Sequence, residues 1–196
     1  MSCSELVDVK LDPRVKRTRR LLIEAFFELL GEKGFDAITV QDIASRATVN
    51  RATFYAHFTD KYALVEELVR EGFGRLLQRR LAVAPETVEE FLRQLFLAVA
   101  DQWGEMQGQC RVMFRTFESV MEAQVKAQLR EHIRAWLVAD ETTRGYGRER
   151  LEMVTTIVTW ALYGAAMEWV QGGKRLRAET YAERVLPLLV AAISAV

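Results

Sequence analysis

An all-α fold is predicted by three features of this chain. Apolar residues recur at helical spacing from residue 14 to the end, strand-like alternation is missing, and only three prolines occur in 196 residues. That length allows one large or two small domains with ample material for a core. The formal net charge is zero, so no global basic field points to nucleic acid, and any such case rests on where the charges sit.

The first helix is expected over residues 14–33, burying Leu22, Phe26, Leu29 and Leu30 and stopping at Gly34 after a basic last turn. Its start is unusually basic. Lys10, Arg14, Lys16, Arg17, Arg19 and Arg20 crowd a stretch in which Asp12 is the one acid, an arm suited to phosphates if a nucleic-acid reader follows.

Such a reader is what residues 38–61 describe. Val40, Ile43, Ala44 and Ala47 form an apolar stripe behind a near capping box of Thr39 and Asp42, which leaves Gln41, Ser45 and Arg46 pointing elsewhere. A second short helix starts at Asn50, a strong N-cap, with Val49 and Phe54 at the positions of a hydrophobic staple. Its buried side is Phe54 and Phe58. Arg51, Ala52, Thr53, Tyr55, Ala56 and His57 are left facing outward. Two short helices about a three-residue turn, with small, hydroxyl and cationic groups at the start of the second, predict a helix-turn-helix that enters a major groove.

After Phe58, Asp60 caps a helix expected over residues 61–80 and carrying Leu64, Leu68 and Leu76; Gly72 and Gly74 each cost it about 1 kcal/mol relative to alanine. Ala84 and Pro85 mark the expected boundary, since proline suits the first position of a new helix. Helical spacing resumes from Val88 to Gly104, and again over 109–139 with large apolar groups. Residues 140–149 read as a loop, and two last helices are expected over 151–170 and 179–195, the latter bent by Pro187. The domains expected are 14–60 for DNA binding (motif about 39–58), 61–83 as a connecting helix, and 84–196 for regulation and dimerisation.

Other classes find little support. Cys3 and Cys110 match no metal or redox spacing, which fits free thiols in a cytoplasmic protein, and His57 and His132 stand far apart with no phosphate-binding glycine loop, so no enzyme, metal or cofactor is expected. The N-terminus lacks an apolar signal core, and the longest uncharged stretch, 153–167, is short of the roughly 20 residues of a membrane span.

The order of a helix with a basic start, then TVQDIASRATVNRATFYAHFTDKYAL, then a long connecting helix resembles the TetR family of bacterial transcriptional regulators. The likeness covers about residues 14–70; beyond them the chain is similar only in being a helical domain of suitable length. It implies that Thr39 and Tyr55 hold phosphates through their hydroxyls, with His57 on the same backbone, Lys61 as a further anchor and Arg17 in the basic arm. Gln41, Arg51, Ala52 and Thr53 then face base edges, beside the cap Asn50. Two positions depart from the pattern. Thr48 stands where the family usually has glycine, which costs a β-branched residue about 1 to 2 kcal/mol if φ is positive. Thr59 replaces a frequent proline and leaves the Asp60 cap intact.

The same likeness implies a small-molecule pocket and a homodimer built on the last two helices. Pocket candidates are Trp103, Met106, Met113, Phe114, Phe117, Trp136 and Trp160, with His132 among the polar ones. Dimer candidates are Ala161, Gly164, Ala165 and Glu168 on the penultimate helix and Leu186, Leu189, Val190 and Ile193 on the last. The expected function is a regulator of a double-stranded operator, a repressor released by a small, largely apolar effector. The alternative is a DNA-binding regulator controlled by a partner protein or by abundance.

Overall fold

Asp12 starts the first helix, accepting the Arg14 N–H at 2.8 Å, and Pro13 occupies a first-turn position where its missing N–H costs nothing. The computed structural model describes residues 12–109, 111–143, 145–173 and 175–194; the side chains of 104–109, 111–116, 142, 192 and 194 lie outside what is described. α1 (Pro13–Lys33) ends at Gly34, whose φ of 73° is left-handed and free of penalty only for glycine. Leu22, Phe26, Leu29 and Leu30 are buried as their spacing requires.

α2 (Val40–Arg46) packs on α1, and α3 (Arg51–Tyr55) packs on α2. Phe26, Ile38, Ile43, Ala44, Phe54 and Phe58 are all buried. α4 (Lys61–Arg80) follows, with the Asp60 carboxylate accepting the N–H groups of Tyr62 and Ala63, each at 2.8 Å. It runs unbroken through Gly72 and Gly74.

Two compact units result, and their division corrects the expected boundary. One contains residues up to 72 together with 110–121, and the other 73–109 together with 122–196. Pro85 punctuates only the local connection, because α4 continues as helix past the division and a domain limit follows packing and not backbone breaks. Gly104 likewise fails to end α5 (Val88–Gln109), since one glycine costs a long helix only about 1 kcal/mol. α6 (Arg111–Ala139) departs from helical dihedrals at Phe117 (φ −121°, ψ 17°). A 3₁₀ turn (Glu141–Thr143), α7 (Arg148–Gln171) and α8 (Ala178–Ser194) complete the chain, with Pro187 inside α8. In the second unit α5, α7 and α8 pack against one another. Its core holds Trp103 edge-on to Tyr163 at 5.7 Å, and Phe91 is stacked on Trp136 at 4.5 Å. Cys3 and Cys110 lie outside the described residues. Among the described residues no helix is long and apolar enough to cross a membrane, and no cluster of three metal-ligating groups occurs.

Candidate nucleic-acid interface

Geometry in the first unit begins with the two caps. Thr39 and Asp42 form a full capping box: the Asp42 N–H donates to Thr39 Oγ1 at 3.1 Å, while Asp42 Oδ2 accepts the Thr39 N–H at 2.8 Å and its hydroxyl at 2.6 Å. Lys33 Nζ also reaches Asp42 at 2.8 Å. That ammonium, and then the two Thr39 donors, hold the Asp42 carboxyl far below the usual carboxylate range. Arg46 ties α2 back to α1 through Glu28 at 3.0 Å and Glu32 at 2.7 Å. At α3, Asn50 Oδ1 accepts the Thr53 N–H at 2.7 Å and the Thr53 hydroxyl at 2.9 Å.

The turn between these helices has one conformational cost. Thr48 is the sole non-glycine residue with positive φ among the described residues, at 58°, and its N–H still donates to Ser45 O at 3.1 Å. The missing glycine is therefore met by strain and not by a remodelled turn.

Gln41, Asn50, Arg51, Ala52 and Tyr55 are exposed together, and Thr53 is half-buried. Arg51 donates to the Tyr55 hydroxyl at 3.0 Å, its guanidinium 5.4 Å from the ring centre, and the Gln41 amide donates to Ser45 at 3.0 Å. Tyr55 is 45 % exposed and keeps its own O–H to give. Arg17 is exposed on α1.

Three expected contacts look different in the folded unit. The single Thr39 hydroxyl proton is already given to Asp42, so in this state Thr39 offers a phosphate neither its O–H nor its N–H. Lys61 is a second correction: its ammonium donates to the carbonyls of Phe35 (2.9 Å), Asp36 (3.3 Å) and Ile38 (2.8 Å), which uses all three protons inside the protein. The N-terminus of α4 is likewise already served by Asp60. His57 is half-buried, and burial first and then the nearby Arg19 charge push its pKa below the ordinary value.

Arg19 belongs to the basic run by sequence but turns inward. It is buried, with Nη2 3.0 Å from Glu71 and 3.2 Å from Glu67, and its guanidinium lies over the Phe58 ring at 4.8 Å. Its spacing to Leu22, Ile23 and Phe26 placed it on the apolar stripe. That signal was legible. Burial raises the Glu71 pKa, whereas Arg70 and Arg19 outweigh burial at Glu67 and lower it.

Positions expected in a pocket or at a dimer face are scattered. Trp103 is fully buried and Trp136 half-buried, neither indole N–H having an acceptor among the described residues. His132 Nδ1 lies 2.9 Å from Gln128 O on its own helix. Phe117 is not a pocket residue: it packs with Phe26 and Phe35 in the core of the first unit. Trp160 is 59 % exposed, with Lys126 Nζ 3.5 Å from its ring centre. The side chains of Met106, Met113 and Phe114 lie outside the described residues. On α7, Ala161, Gly164 and Glu168 are exposed and Ala165 half-buried, but Leu186, Leu189 and Ile193 are buried within the single chain, because α8 turns its main apolar face to α5 and α7; Val190 is half-buried. The outward apolar residue of α8 is Leu188, 70 % exposed.

A short capped helix pair, an outward set of polar and aromatic groups on the second helix, and a separate helical bundle define a helix-turn-helix protein with a C-terminal helical domain. Residues 22–68 match the family described as bacterial regulatory proteins, tetR family. Through this N-terminal segment the chain is similar to transcriptional regulators of that family. It is similar to the class D tetracycline repressor protein of Escherichia coli, 35 % identical over 75 residues that make up 38 % of this chain and 34 % of that protein. It is also similar to the transcriptional repressor KstR2 of Mycobacterium tuberculosis, 33 % identical over 87 residues, 43 % of this chain and 44 % of that one. The chain spans less than half the length of these curated relatives. A solved structure of the regulator FadR from Bacillus subtilis, in complex with stearoyl-CoA, matches 88 % of this chain and 97 % of its own with a TM-score of 0.54 at 18 % identity, a likeness of fold.

Proposed function

We propose that this protein is a homodimeric DNA-binding repressor that is released from a near-palindromic operator by a small, largely apolar effector. The observation that carries the DNA half is the exposed group of Gln41, Arg51, Ala52 and Tyr55, presented by two helices whose caps are fully satisfied. Arginine suits guanine, glutamine suits adenine and a small apolar side chain suits a thymine methyl, while the Tyr55 O–H and exposed Arg17 suit phosphates. Support for a dimer comes from α7, where Met153, Ile157 and Trp160 are all at least half exposed beside Ala161 and Gly164. On α8, Leu188 is a further exposed apolar side chain. An apolar effector is supported by the aromatic content around Trp103 and Trp136 and by the acyl-CoA held by a protein of like fold.

Selection of duplex DNA from a random pool tests the reading. The bound sequences should contain two inverted half-sites whose centres lie about one helical turn, roughly 34 to 36 Å, or a multiple apart. A footprint without two-fold symmetry, from a chain that is monomeric at micromolar concentration, refutes it. Titration of acyl-CoA thioesters into the complex then tests release; a DNA affinity that responds to no small molecule leaves control to a partner or to abundance.

A further inference from the structure

Phe117 lies in the second half of the sequence, yet residues 110–121 belong to the first compact unit. Its ring is 2 % exposed, edge-on to Phe35 at 4.6 Å (87°) and 6.3 Å from Phe26, and it sits where α6 departs from helical dihedrals. Phe35 is the hub of this contact. Its ring also meets Tyr62 at 5.1 Å and carries Lys61 Nζ 4.4 Å from its centre. The same ammonium collects the carbonyls of Phe35, Asp36 and Ile38, the loop that delivers the chain to the Thr39 cap of α2. An ammonium over an aromatic face, with three carbonyls on its protons, is held in both direction and distance. Whatever moves the Phe35 ring therefore moves the loop.

We infer that Phe117 is a positioning residue for DNA reading: it buttresses Phe35, Phe35 seats Lys61, and Lys61 fixes the loop that sets where α2 begins. Lys61 then acts from inside the unit and not as a phosphate ligand. The inference rests on the reading of this unit as a DNA binder, and adds to it a residue from α6 that touches no DNA. It also gives α6 a side-chain route to the reading motif.

A double-mutant cycle on the full chain separates this from a merely structural role. The measured quantity is affinity for the duplex selected by the parent, with folding followed by circular dichroism and melting. Phe117→Leu keeps the core apolar and removes the ring; Lys61→Met keeps the stem and removes the ammonium. Each should lower affinity about tenfold, and the double variant should lie within about twofold of the weaker single one, because both act through one contact. Losses that multiply toward a hundredfold overturn the inference, as does a folded Phe117→Leu protein that binds like the parent. Hydrogen exchange supplies a second readout independent of DNA: amides of residues 35–39 should exchange faster in Phe117→Leu, or in Phe117→Met if the leucine variant does not fold, with those of α7 unchanged. Unchanged exchange there refutes the contact's role. A parent that selects no duplex fails the functional reading instead, and the exchange result still decides the placement.

Discussion

Replacing Thr48 by glycine should stabilise the protein. An L-residue in the left-handed region costs about 1 to 2 kcal/mol, and a β-branched one sits toward the upper end. Thr48 has φ 58° and an exposed side chain, so glycine removes the cost without opening a cavity. Against this, glycine frees the unfolded chain by roughly 0.4 to 1 kcal/mol. The net gain is about 0.5 to 1 kcal/mol. For a chain of this length that corresponds to a rise in Tm of about 1 to 4 °C, to be measured at one fixed protein concentration because any self-association would shift the midpoint. Thr48→Asn should gain less and Thr48→Ala little, since asparagine tolerates this region and alanine keeps the Cβ clash. The Thr48 N–H bond to Ser45 survives in all three, so affinity for a selected duplex should change less than about twofold. A Thr48→Gly protein that melts below the parent while Thr48→Asn melts above it would refute the argument from backbone strain.

Arg51→Ala should cost about 1 to 3 kcal/mol of DNA affinity and relax preference at one base pair per half-site; uniform weakening across sequences would assign Arg51 to phosphate instead. His57 is held below its ordinary pKa by burial and Arg19, so the unfolded chain takes up the proton first. Its contribution to stability is present above pH about 6.5 and is lost as pH falls through the folded value. A Tm series from pH 7.5 to 5 should therefore slope less in His57→Gln than in the parent, and equal slopes would sink this assignment. Ile157→Lys with Trp160→Glu should yield monomers by sedimentation if the exposed α7 row is the dimer face; an unchanged dimer places that face elsewhere. Gly74→Ala should preserve folding, because among the described residues its new methyl meets the flexible end of Gln128 at 3.2 Å. If α4 flexes where the two units divide, this variant should reduce effector coupling, expected at about 1 to 3 kcal/mol in the parent, and undiminished coupling would remove that hinge.

Local chemistry was enough to place the caps and the reading helices. Thr39, Asp42, Asn50 and Asp60 act within a few residues of themselves, so a short stretch of sequence contains both donor and acceptor, and the helix starts followed from it. The stripes of α1 to α3 were legible for the same reason, because burial at period 3.6 leaves a pattern in composition. The cost at Thr48 followed from the resemblance, which puts a glycine at that place in the turn. What depended on distant parts of the chain could not be read. The spacing of Arg19 puts it on the buried stripe of α1, but its partners Glu67 and Glu71 stand 48 and 52 residues away and only packing brings them to it. Lys61 reaches back 23 to 26 residues to spend its protons on a loop. Phe117 and Trp160 look alike as aromatic residues on helical stripes, yet one fills the core of the first unit and the other faces solvent on α7. Helical periodicity says that a residue has a buried or an exposed side; which neighbour covers that side is decided only when the helices pack.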